Sequence, residues 1–464
     1  MSDTITSELD GIDLGDKRLD KRSRLVLQAL HADCTASVNS ACQGWAETLA
    51  AYRFFDNPNV SPEAILRPHQ DASIRRIREH PLVVIAQDTT ELDFTAHPAK
   101  DARCLNRPER KGLYQHTHLA LTPGGLPLGV LGQSHFDRAA ETLGKTADRD
   151  RLPIERKESF RWLRGYRSAG EVARDCPGTR VVSVADSEAD IYDIFAEARD
   201  NPGPAKFVIR AKEPRCTTEP DPEGGEAAYR KVADEVAAAG VMFVREVRLN
   251  ATPKREARDA RLEVRAATVR VKAPHARGRM GPAKLNVVLA EEAGGPGDGT
   301  DVRWLLISDM PIDTAKAVGE VVDCYVARWG VEVYFRALKT GCAVEELRLE
   351  STARLGRCLA LYAVVAWRVM YATYLGRECP EVPCSAVFEG CEWKAVWAVA
   401  RKCEPPREAP SLGEFVRVLA SLGGHNDRAS EAPPGPQAMW VGIGRMTDFA
   451  IAWNTFGPGG QTCV

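Results

Sequence analysis

A succession of short apolar runs, rich in Val, Ile and Leu, constrains the fold of this 464-residue chain more than any other feature. Residues of this kind in runs of this length favour β-strands. The runs read LVVIAQD, TTELDF, LYQHTHLAL and LPLGVLG, then RVVSVAD after a helical span near 155–175, then KFVIR after the helical SEADIYDIFAEARD. Strands first, then strands alternating with helices, predict a mixed α/β core.

The segments that flank and interrupt this core have different patterns of polar and apolar residues. Residues 14–56 are polar and helical in pattern, and Ser61 before Pro62 marks the start of another helix. Residues about 213–301 alternate as strands do, and the chain after 376 has short helical segments between Pro- and Gly-rich ones. We therefore expect domains at 1–70, at 71–375 with an insertion at about 213–301, and at 376–464.

Two further patterns bear on the compartment. The first residues, MSDTITSELDGIDLG, lack a basic leader followed by an apolar run, which predicts the cytoplasm. The most apolar span, 358–375, contains Arg368, which would cost about 2.5–3.5 kcal/mol at mid-bilayer, so a buried core helix is favoured and no membrane is expected. The 13 cysteines form no CxxC pair, and we expect reduced thiols.

Charge is distributed unevenly along the chain, although the net charge is only −2. Residues 245–285 hold twelve Lys or Arg and four acids, an excess typical of a nucleic-acid-binding surface, or of an exposed sheet face. A second basic cluster, Lys17 to Arg24, includes Arg22 and alternates with Asp16 and Asp20. It fits a phosphate-binding helix and a salt-bridged, solvated helix equally well.

Two carboxylates follow apolar runs directly. Asp88 comes after Leu82–Gln87, and Asp186 comes after Val181–Ala185. Ligand sites of open α/β sheets lie at the carboxyl ends of strands, so the two acids can share one site if their strands are neighbours. Asp186 also suits a helix N-cap. Other nearby acids compete for the same role: Glu91, Asp93, Glu188, Asp190 and Asp193.

A third carboxylate lies on the predicted helix YVARWGVEVYFRALKTG, Tyr325 to Gly341. At about 100° per residue, Tyr325, Arg328, Glu332 and Lys339 fall within an arc of about 60° on a helix that is otherwise mostly apolar. A buried helix with one polar ridge of this kind suggests that the ridge faces a site.

Three converging carboxylates repel one another unless a cation lies between them. Oxygen ligands favour Mg²⁺ or Mn²⁺, and two such ions would promote cleavage or joining of a phosphodiester. His116 and His118 alternate on one strand but lack a further ligand nearby, so a core or surface position is favoured over a metal site. The loop GPGDG lacks the Lys and helix of a phosphate-binding loop.

These segments resemble those of a known family, the bacterial insertion-sequence transposases of the transposon-five type in the "insertion sequence four" group. Its Tyr-(2)-Arg-(3)-Glu-(6)-Lys signature is met by Tyr325, Arg328, Glu332 and Lys339. VVIAQDTTELDF and VVSVADSEADIYDIF resemble the segments that carry its catalytic aspartates. Further similarity covers nearly the whole chain, including LGDKRLDKR, AAYRFFDNPNVSPEAI, KFVIRAKEPR and LASLGGHNDR.

The resemblance implies a ribonuclease-H-like α/β core with a β-rich insertion, a helical DNA-binding region at 1–70 and a helical dimerisation region at 376–464. It implies that Asp88, Asp186 and Glu332 form a catalytic triad that binds Mg²⁺, or Mn²⁺ in its place, as two ions. It also implies DNA contacts by seven side chains: Tyr325, Arg328, Lys339, Trp304 on a flipped base, Arg210, Lys212 and Arg22.

The implied function is cut-and-paste transposition. A homodimer would bind the terminal inverted repeats of its element in double-stranded DNA, cleave the ends and join them to target DNA, in association with the bacterial nucleoid. Two alternatives remain open: a DNA-binding repressor or inhibitor derived from a transposase, and a stand-alone metal-dependent nuclease of the same fold.

Overall fold

A computed structural model describes residues 5–42, 44–138, 152–212, 214–220, 229–249, 256–428 and 432–458. The chain divides into two compact units. The first comprises Met1–Ile77, Thr89–Leu143 and Gly330–Val464, and the second comprises Arg78–Asp88 and Gly144–Trp329. Each unit is therefore assembled from segments that are distant in sequence.

Helices and strands occur throughout the described residues. The helices are α1 (Lys17–Ala32), α2 (Val38–Ala41), α3 (Trp45–Asp56), α4 (Pro62–Arg78), α5 (Phe160–Asp175), α6 (Tyr192–Asp200), α7 (Val232–Ala237), α8 (Ala315–Ala327), α9 (Trp329–Arg336), α10 (Thr352–Glu378), α11 (Gly390–Arg401), α12 (Leu412–Leu422) and α13 (Pro436–Phe456). The strands are β1 (Leu82–Asp93), β2 (Gly112–Leu121), β3 (Pro127–Phe136), β4 (Arg180–Ala185), β5 (Lys206–Arg210), β6 (Cys216–Pro220), β7 (Tyr229–Lys231), β8 (Phe243–Leu249), β9 (Arg258–Val271), β10 (Ala283–Glu292) and β11 (Arg303–Ser308).

Strand β1 belongs to both units, because the boundary between them falls after Asp88. In the second unit, β1 pairs in parallel with β4, and β4 pairs in parallel with β5. In the first unit, β2 and β3 form an antiparallel hairpin next to β1. Parallel strands β1, β4 and β5, with α5 leading into β4 and α6 leading into β5, occur together with antiparallel strands and confirm the predicted mixed α/β fold class.

The predicted insertion is β-rich and extends the sheet of the second unit in the order β5-β11-β10-β9-β6-β7, with β8 on β9. Strands β9, β10, β11 and β5 pair antiparallel throughout. The apolar core beneath them includes Phe195, Phe207, Leu285 and Val287. Of the basic residues counted in this segment, Lys254, Arg255 and the side chain of Arg277 lie outside the described residues.

Strand β1 corrects one prediction. The runs LVVIAQD and TTELDF were expected to be separate strands, but they form a single strand from Leu82 to Asp93. The β-branched Thr89 and Thr90 suit extended backbone and continue the strand. Asp88 is therefore an interior residue of β1, placed where the pairing of β1 with the shorter β4 stops after Gln87.

The segment after β4 corrects a second prediction. One helix was expected over SEADIYDIFAEARD, but a 3₁₀ turn at Ser187–Ala189 is followed by a break, and α6 begins only at Tyr192. Asp190 at the break has non-helical dihedral angles. Its carboxylate accepts hydrogen bonds from Arg215 Nε at 2.7 Å and from the Lys212 N–H at 2.9 Å, contacts that hold the chain out of the helix.

The helix predicted from Tyr325 to Gly341 is longer and less regular than expected. It begins at Ala315, is interrupted at Arg328 between α8 and α9, and ends in a π-helical turn at Ala337–Gly341. In that turn the Cys342 N–H donates to the Ala337 carbonyl, five residues back. A constant 100° per residue does not apply across these irregularities, so the narrow arc stays a prediction for Lys339.

Helix α10 contains the span considered above as a membrane candidate. By length and composition alone it could cross a membrane, and 83% of its most apolar 18-residue window is buried inside the protein. Arg368 is 4% exposed and donates to the Val387 carbonyl at 2.7 Å. A helix that is apolar on all sides and buried is a core helix. The twelve cysteines of the described segments are all free thiols.

The first unit contains a buried ionic network. Nδ1 of His69 donates to Glu8 Oε2 at 2.5 Å, since His69 Nε2 accepts from the Val130 N–H. Arg76 donates to both Glu8 oxygens, at 2.8 and 3.0 Å, and stacks 4.3 Å from the Trp367 ring centroid. Burial raises the pKa of Glu8, but His69 and Arg76 outweigh this effect and lower it to about 2. Burial lowers the pKa of His69.

We expect these shifts to make the first unit acid-sensitive. Because both folded-state pKa values are depressed, the unfolded chain binds more protons, so stability is complete above about pH 6.5 and falls on acidification. His69 acts first, and Glu8 follows as the pH drops from about 4.5 towards about 2. Glu8→Gln should abolish the loss of stability that Glu8 causes below about pH 4.5. It should also lower the free energy of unfolding by about 3 kcal/mol at pH 7.

Denaturant unfolding of the wild-type protein and of Glu8→Gln, at pH 7 and pH 3, measures the change in the free energy of unfolding. The control is Asp10→Asn, which removes a carboxylate from an exposed pair with Arg24. Equal acid sensitivity of Glu8→Gln and Asp10→Asn would show that the buried network does not set it.

Candidate active site

Asp88 and Asp186 occupy equivalent positions on neighbouring parallel strands. The pairing of β1 with β4 ends with Gln87 opposite Ala185; Asp88 is the next residue of β1, and Asp186 is the first residue after β4. Adjacent strands lie about 4.8 Å apart, so the backbones of the two residues lie next to each other. Both residues are half-buried. Asp186 also accepts a hydrogen bond from the Glu188 N–H at 2.9 Å and caps the 3₁₀ turn that follows it.

Three predicted DNA-contacting residues of the second unit form a continuous chain that starts at Asp88. Arg328 Nη1 lies 3.2 Å from Asp88 Oδ2, and the guanidinium lies 5.6 Å from the centre of the Tyr325 ring. The Tyr325 ring meets Trp304 edge to face at 5.5 Å. Trp304 is held by β11, where it pairs with Ala290 of β10. The arrangement places a cation beside one carboxylate and connects that cation through Tyr325 to Trp304.

Burial limits what this cluster can offer to a ligand. Arg328 is 8% exposed and Tyr325 is 5% exposed, whereas Trp304 is half-buried. Arg328 lies at the junction of α8 and α9, where its N–H bonds the Tyr325 carbonyl. Arg328 is thereby held against Asp88, and Trp304 is the most open of the three.

Four of the five competing acids lie in other ion pairs. Arg110 binds Glu91 at 2.7 Å and Asp93 at 2.9 Å. Glu188 pairs with Arg161 at 2.9 Å, and Asp190 accepts from Arg215 at 2.7 Å. These pairs stabilise the local chain with arginines that lie outside the predicted site. Asp88 differs, because its arginine partner is itself one of the predicted site residues.

Glu332 and Lys339 belong to the first unit. Glu332 lies in the first turn of α9 and is half-buried. Lys339 lies in the π-helical turn, and its Nζ is 3.3 Å from Glu345 Oε1. Sequence reasoning missed Glu345. It lies six residues beyond Lys339, a spacing that places two residues on different faces of a regular helix, so periodicity gave no signal.

The remaining predicted contacts are spread over both units. Arg210 and Lys212 are exposed at the end of β5, and the Lys212 backbone N–H donates to Asp190. Arg22 is half-buried on α1. Its neighbours Arg18 and Arg24 form exposed ion pairs with Asp16 and Asp10. The interpretation of this helix as a salt-bridged face therefore holds for these two arginines.

Much of the positive charge of the insertion is neutralised locally. Within the part of the insertion that the structure describes, ion pairs join Arg245 with Asp323, Arg248 with Asp259, Arg258 with Glu292 and Arg265 with Glu263. The predicted basic surface is therefore smaller than the residue count indicated.

Two basic residues of the insertion lie opposite each other instead of opposite an acid. Arg270 and Lys284 are exposed and directly opposite each other on β9 and β10. Like charges in this position repel, and an anion on this face would relieve the repulsion. Lys272 is the first residue after β9, and its Nζ lies 3.2 Å from the Tyr229 ring centroid.

The donor set at the strand ends suits a hard cation. Asp88 and Asp186 offer only carboxylate oxygens, the ligands that Mg²⁺ and Mn²⁺ prefer. Within the described ranges, no group of three or more His, Cys, Asp or Glu side chains could enclose a metal ion. His116 is 2% exposed, and its Nδ1 lies 2.9 Å from the Thr89 hydroxyl. This position agrees with the core interpretation of His116.

Comparison with known proteins gives matches near both ends of the chain. A transposase DNA-binding model matches residues 1–60, and a Tn5 transposase dimerisation domain model matches residues 364–454. Among solved structures, the chain is remotely similar to a piggyBac transposase synaptic complex with hairpin DNA, at a TM-score of 0.36 and 10% sequence identity. That similarity covers 78% of this chain and 66% of that chain, just under two thirds of its length. Both family matches support the resemblance of this chain to transposases of the Tn5 type.

Proposed function

We propose that the protein is a cut-and-paste transposase that binds the terminal inverted repeats of its element, cleaves the element ends and joins them to target DNA. The observation that carries the proposal is the placement of Asp88 beside Asp186 on neighbouring parallel strands, with Arg328 against Asp88. The family matches concern DNA binding and dimerisation and leave the chemistry open. The paired acids supply the argument for phosphodiester chemistry.

The proposed metal ligands are Asp88, Asp186 and Glu332. The first two are adjacent by strand register, and Glu332 is assigned through the Tyr-Arg-Glu-Lys signature. Two Mg²⁺ or Mn²⁺ ions bound there would activate a water or a 3′-hydroxyl and stabilise the leaving oxygen. A carboxylate at each position provides the negative charge and the oxygen donors that such ions require.

The surrounding side chains have roles in holding DNA. Arg328 offers a planar guanidinium beside Asp88, a group suited to a phosphate oxygen. Trp304 offers an aromatic ring on which an unstacked base can lie, and the Tyr325 ring meets it edge to face. Lys339, Arg210, Lys212 and Arg22 add positive charge for further phosphates. Residues 1–70 would bind the end sequence, and the C-terminal helices would pair two subunits.

A further surface for the phosphate backbone lies on β9 and β10, around Arg270, Lys272 and Lys284. Arg270 and Lys284 face each other across the two strands and are exposed. The electrostatic repulsion between these two side chains is relieved if this face binds a polyanion. We assign it to duplex DNA without sequence preference, because phosphate contacts carry no base information.

We expect Asp88→Asn, Asp186→Asn and Glu332→Gln each to reduce cleavage by at least about 100-fold, because each removes one charged ligand of the ions. DNA binding should persist. The measurement is cleavage and strand joining, in Mg²⁺ or Mn²⁺, of duplexes that end in the inverted repeats flanking the gene. Glu188→Gln, which removes a nearby acid paired with Arg161, is the matched control and should cleave normally.

Other outcomes distinguish the alternative functions. Wild-type protein that binds the end duplex but does not cut it would indicate a repressor. Cleavage of unpaired ends without a joined product would indicate a stand-alone nuclease. Triad variants that cut as well as the wild type would exclude the assigned site.

We also expect the double variant Arg270→Gln/Lys284→Gln to reduce the salt dependence of duplex binding. Each phosphate contact contributes about 0.9 to the slope of log Kobs against log salt, so the slope should fall by roughly 1.8. The control Arg248→Gln/Arg265→Gln removes the same charge from arginines that are paired with Asp259 and Glu263. Equal slopes for the two double variants would exclude the proposed surface.

A further inference from the structure

We propose that Glu345 is a positioning residue that orders the Lys339 ammonium for a DNA phosphate. The inference rests on the proposed function, in which Lys339 contacts DNA. It concerns a residue that lies outside the Tyr-Arg-Glu-Lys signature and that connects this signature to the end of β1.

One oxygen of Glu345 makes two contacts. Oε1 accepts a hydrogen bond from the backbone N–H of Asp93 at 2.8 Å. The same atom lies 3.3 Å from Lys339 Nζ. Glu345 therefore connects the mobile end of a lysine side chain to the last residue of β1.

The attachment point on β1 is itself held firmly. The Asp93 carboxylate accepts from Arg110 Nε at 3.0 Å and from Arg110 Nη2 at 2.9 Å. It also accepts from the Thr95 N–H at 2.9 Å. With its side chain held by these groups and its N–H bound to Glu345, Asp93 gives the carboxylate of Glu345 a fixed reference point in the first unit.

The backbone between the two residues has the irregular form that their contact requires. In a regular helix, residues six apart point in directions about 120° apart and do not meet. Here a π-helical turn carries Lys339, and Ala343 adopts a left-handed conformation with φ of 46°. A residue with a Cβ seldom adopts this conformation, and such strain tends to occur at functional sites. The chain reverses at this point and brings Glu345 back to Lys339.

Packing keeps the turn in this form. A Cβ on Gly341 would come within 2.8 Å of the Trp440 ring, so the backbone lies directly against α13. The Cys34 thiol donates to the Gly341 carbonyl at 3.4 Å. The position of Lys339 is therefore set by tertiary contacts of the first unit as well as by Glu345.

The benefit of this arrangement is entropic. A free lysine side chain loses rotamer freedom when it binds a phosphate, and a side chain that is already ordered loses less. The ammonium has three donors, so it can retain Glu345 and still donate to a phosphate oxygen. Both side chains remain 29% exposed, which leaves the ammonium accessible.

The test compares Glu345→Gln with Glu346→Gln at one fixed salt concentration. Glu345→Gln keeps an oxygen for the Asp93 N–H but loses the charge that holds Lys339, and Glu346→Gln removes the same charge from the adjacent, exposed residue. We expect Glu345→Gln to weaken binding of a duplex ending in the terminal inverted repeat roughly three- to tenfold relative to Glu346→Gln. Both variants should melt at the wild-type temperature.

A double-mutant cycle with Lys339→Gln separates positioning from a general electrostatic effect. In the Lys339→Gln background, Glu345→Gln should have no further effect on binding. The inference is overturned if Glu345→Gln binds as well as Glu346→Gln, or if its effect is unchanged without Lys339. Failure of the wild-type protein to bind the end duplex would overturn the proposed function and this inference with it.

Discussion

The parallel pairing of β1 with β4 is the interaction on which the rest of the candidate site depends. Parallel strands covered on both faces are built from continuous apolar residues, and the buried run Val181–Ala185 has this character. The register places Gln87 opposite Ala185, and this sets Asp88 beside Asp186. A slip of one residue would turn one of the two carboxylates to the other face of the sheet. Apolar burial thus determines the placement of the charged groups.

Charge balance then distinguishes structural acids from the candidate site. Glu91 and Asp93 share Arg110, and Asp190 is buried against Arg215. Ionised groups in a partly buried setting need such partners, because desolvation without compensation is costly. Asp88 is also paired, but with Arg328, which lies beside Tyr325 and Trp304. The ion pair of Asp88 thus belongs to a cluster of predicted site residues, whereas the other ion pairs do not.

Much of the fold was predictable from local pattern. Apolar alternation and helix-start signals located nearly all core strands and helix α4, because each depends on residues close in sequence. The merging of two predicted strands into β1 and the break before α6 were not predictable. The break depends on Arg215, which lies 25 residues from Asp190 in the chain. The π-helical turn likewise depends on packing against Trp440, a residue remote from Gly341.

The sequence by itself determined the mixed α/β fold class and indicated the family resemblance and the candidate residues, because residue types and their spacing carry this information. Only the tertiary structure decided which acids are committed to ion pairs, that Arg270 meets Lys284, and that Glu345 reaches Lys339. The physical reason is that these contacts join residues whose separation follows no helix or strand period. They arise from strand register and from backbone irregularities that remote packing stabilises.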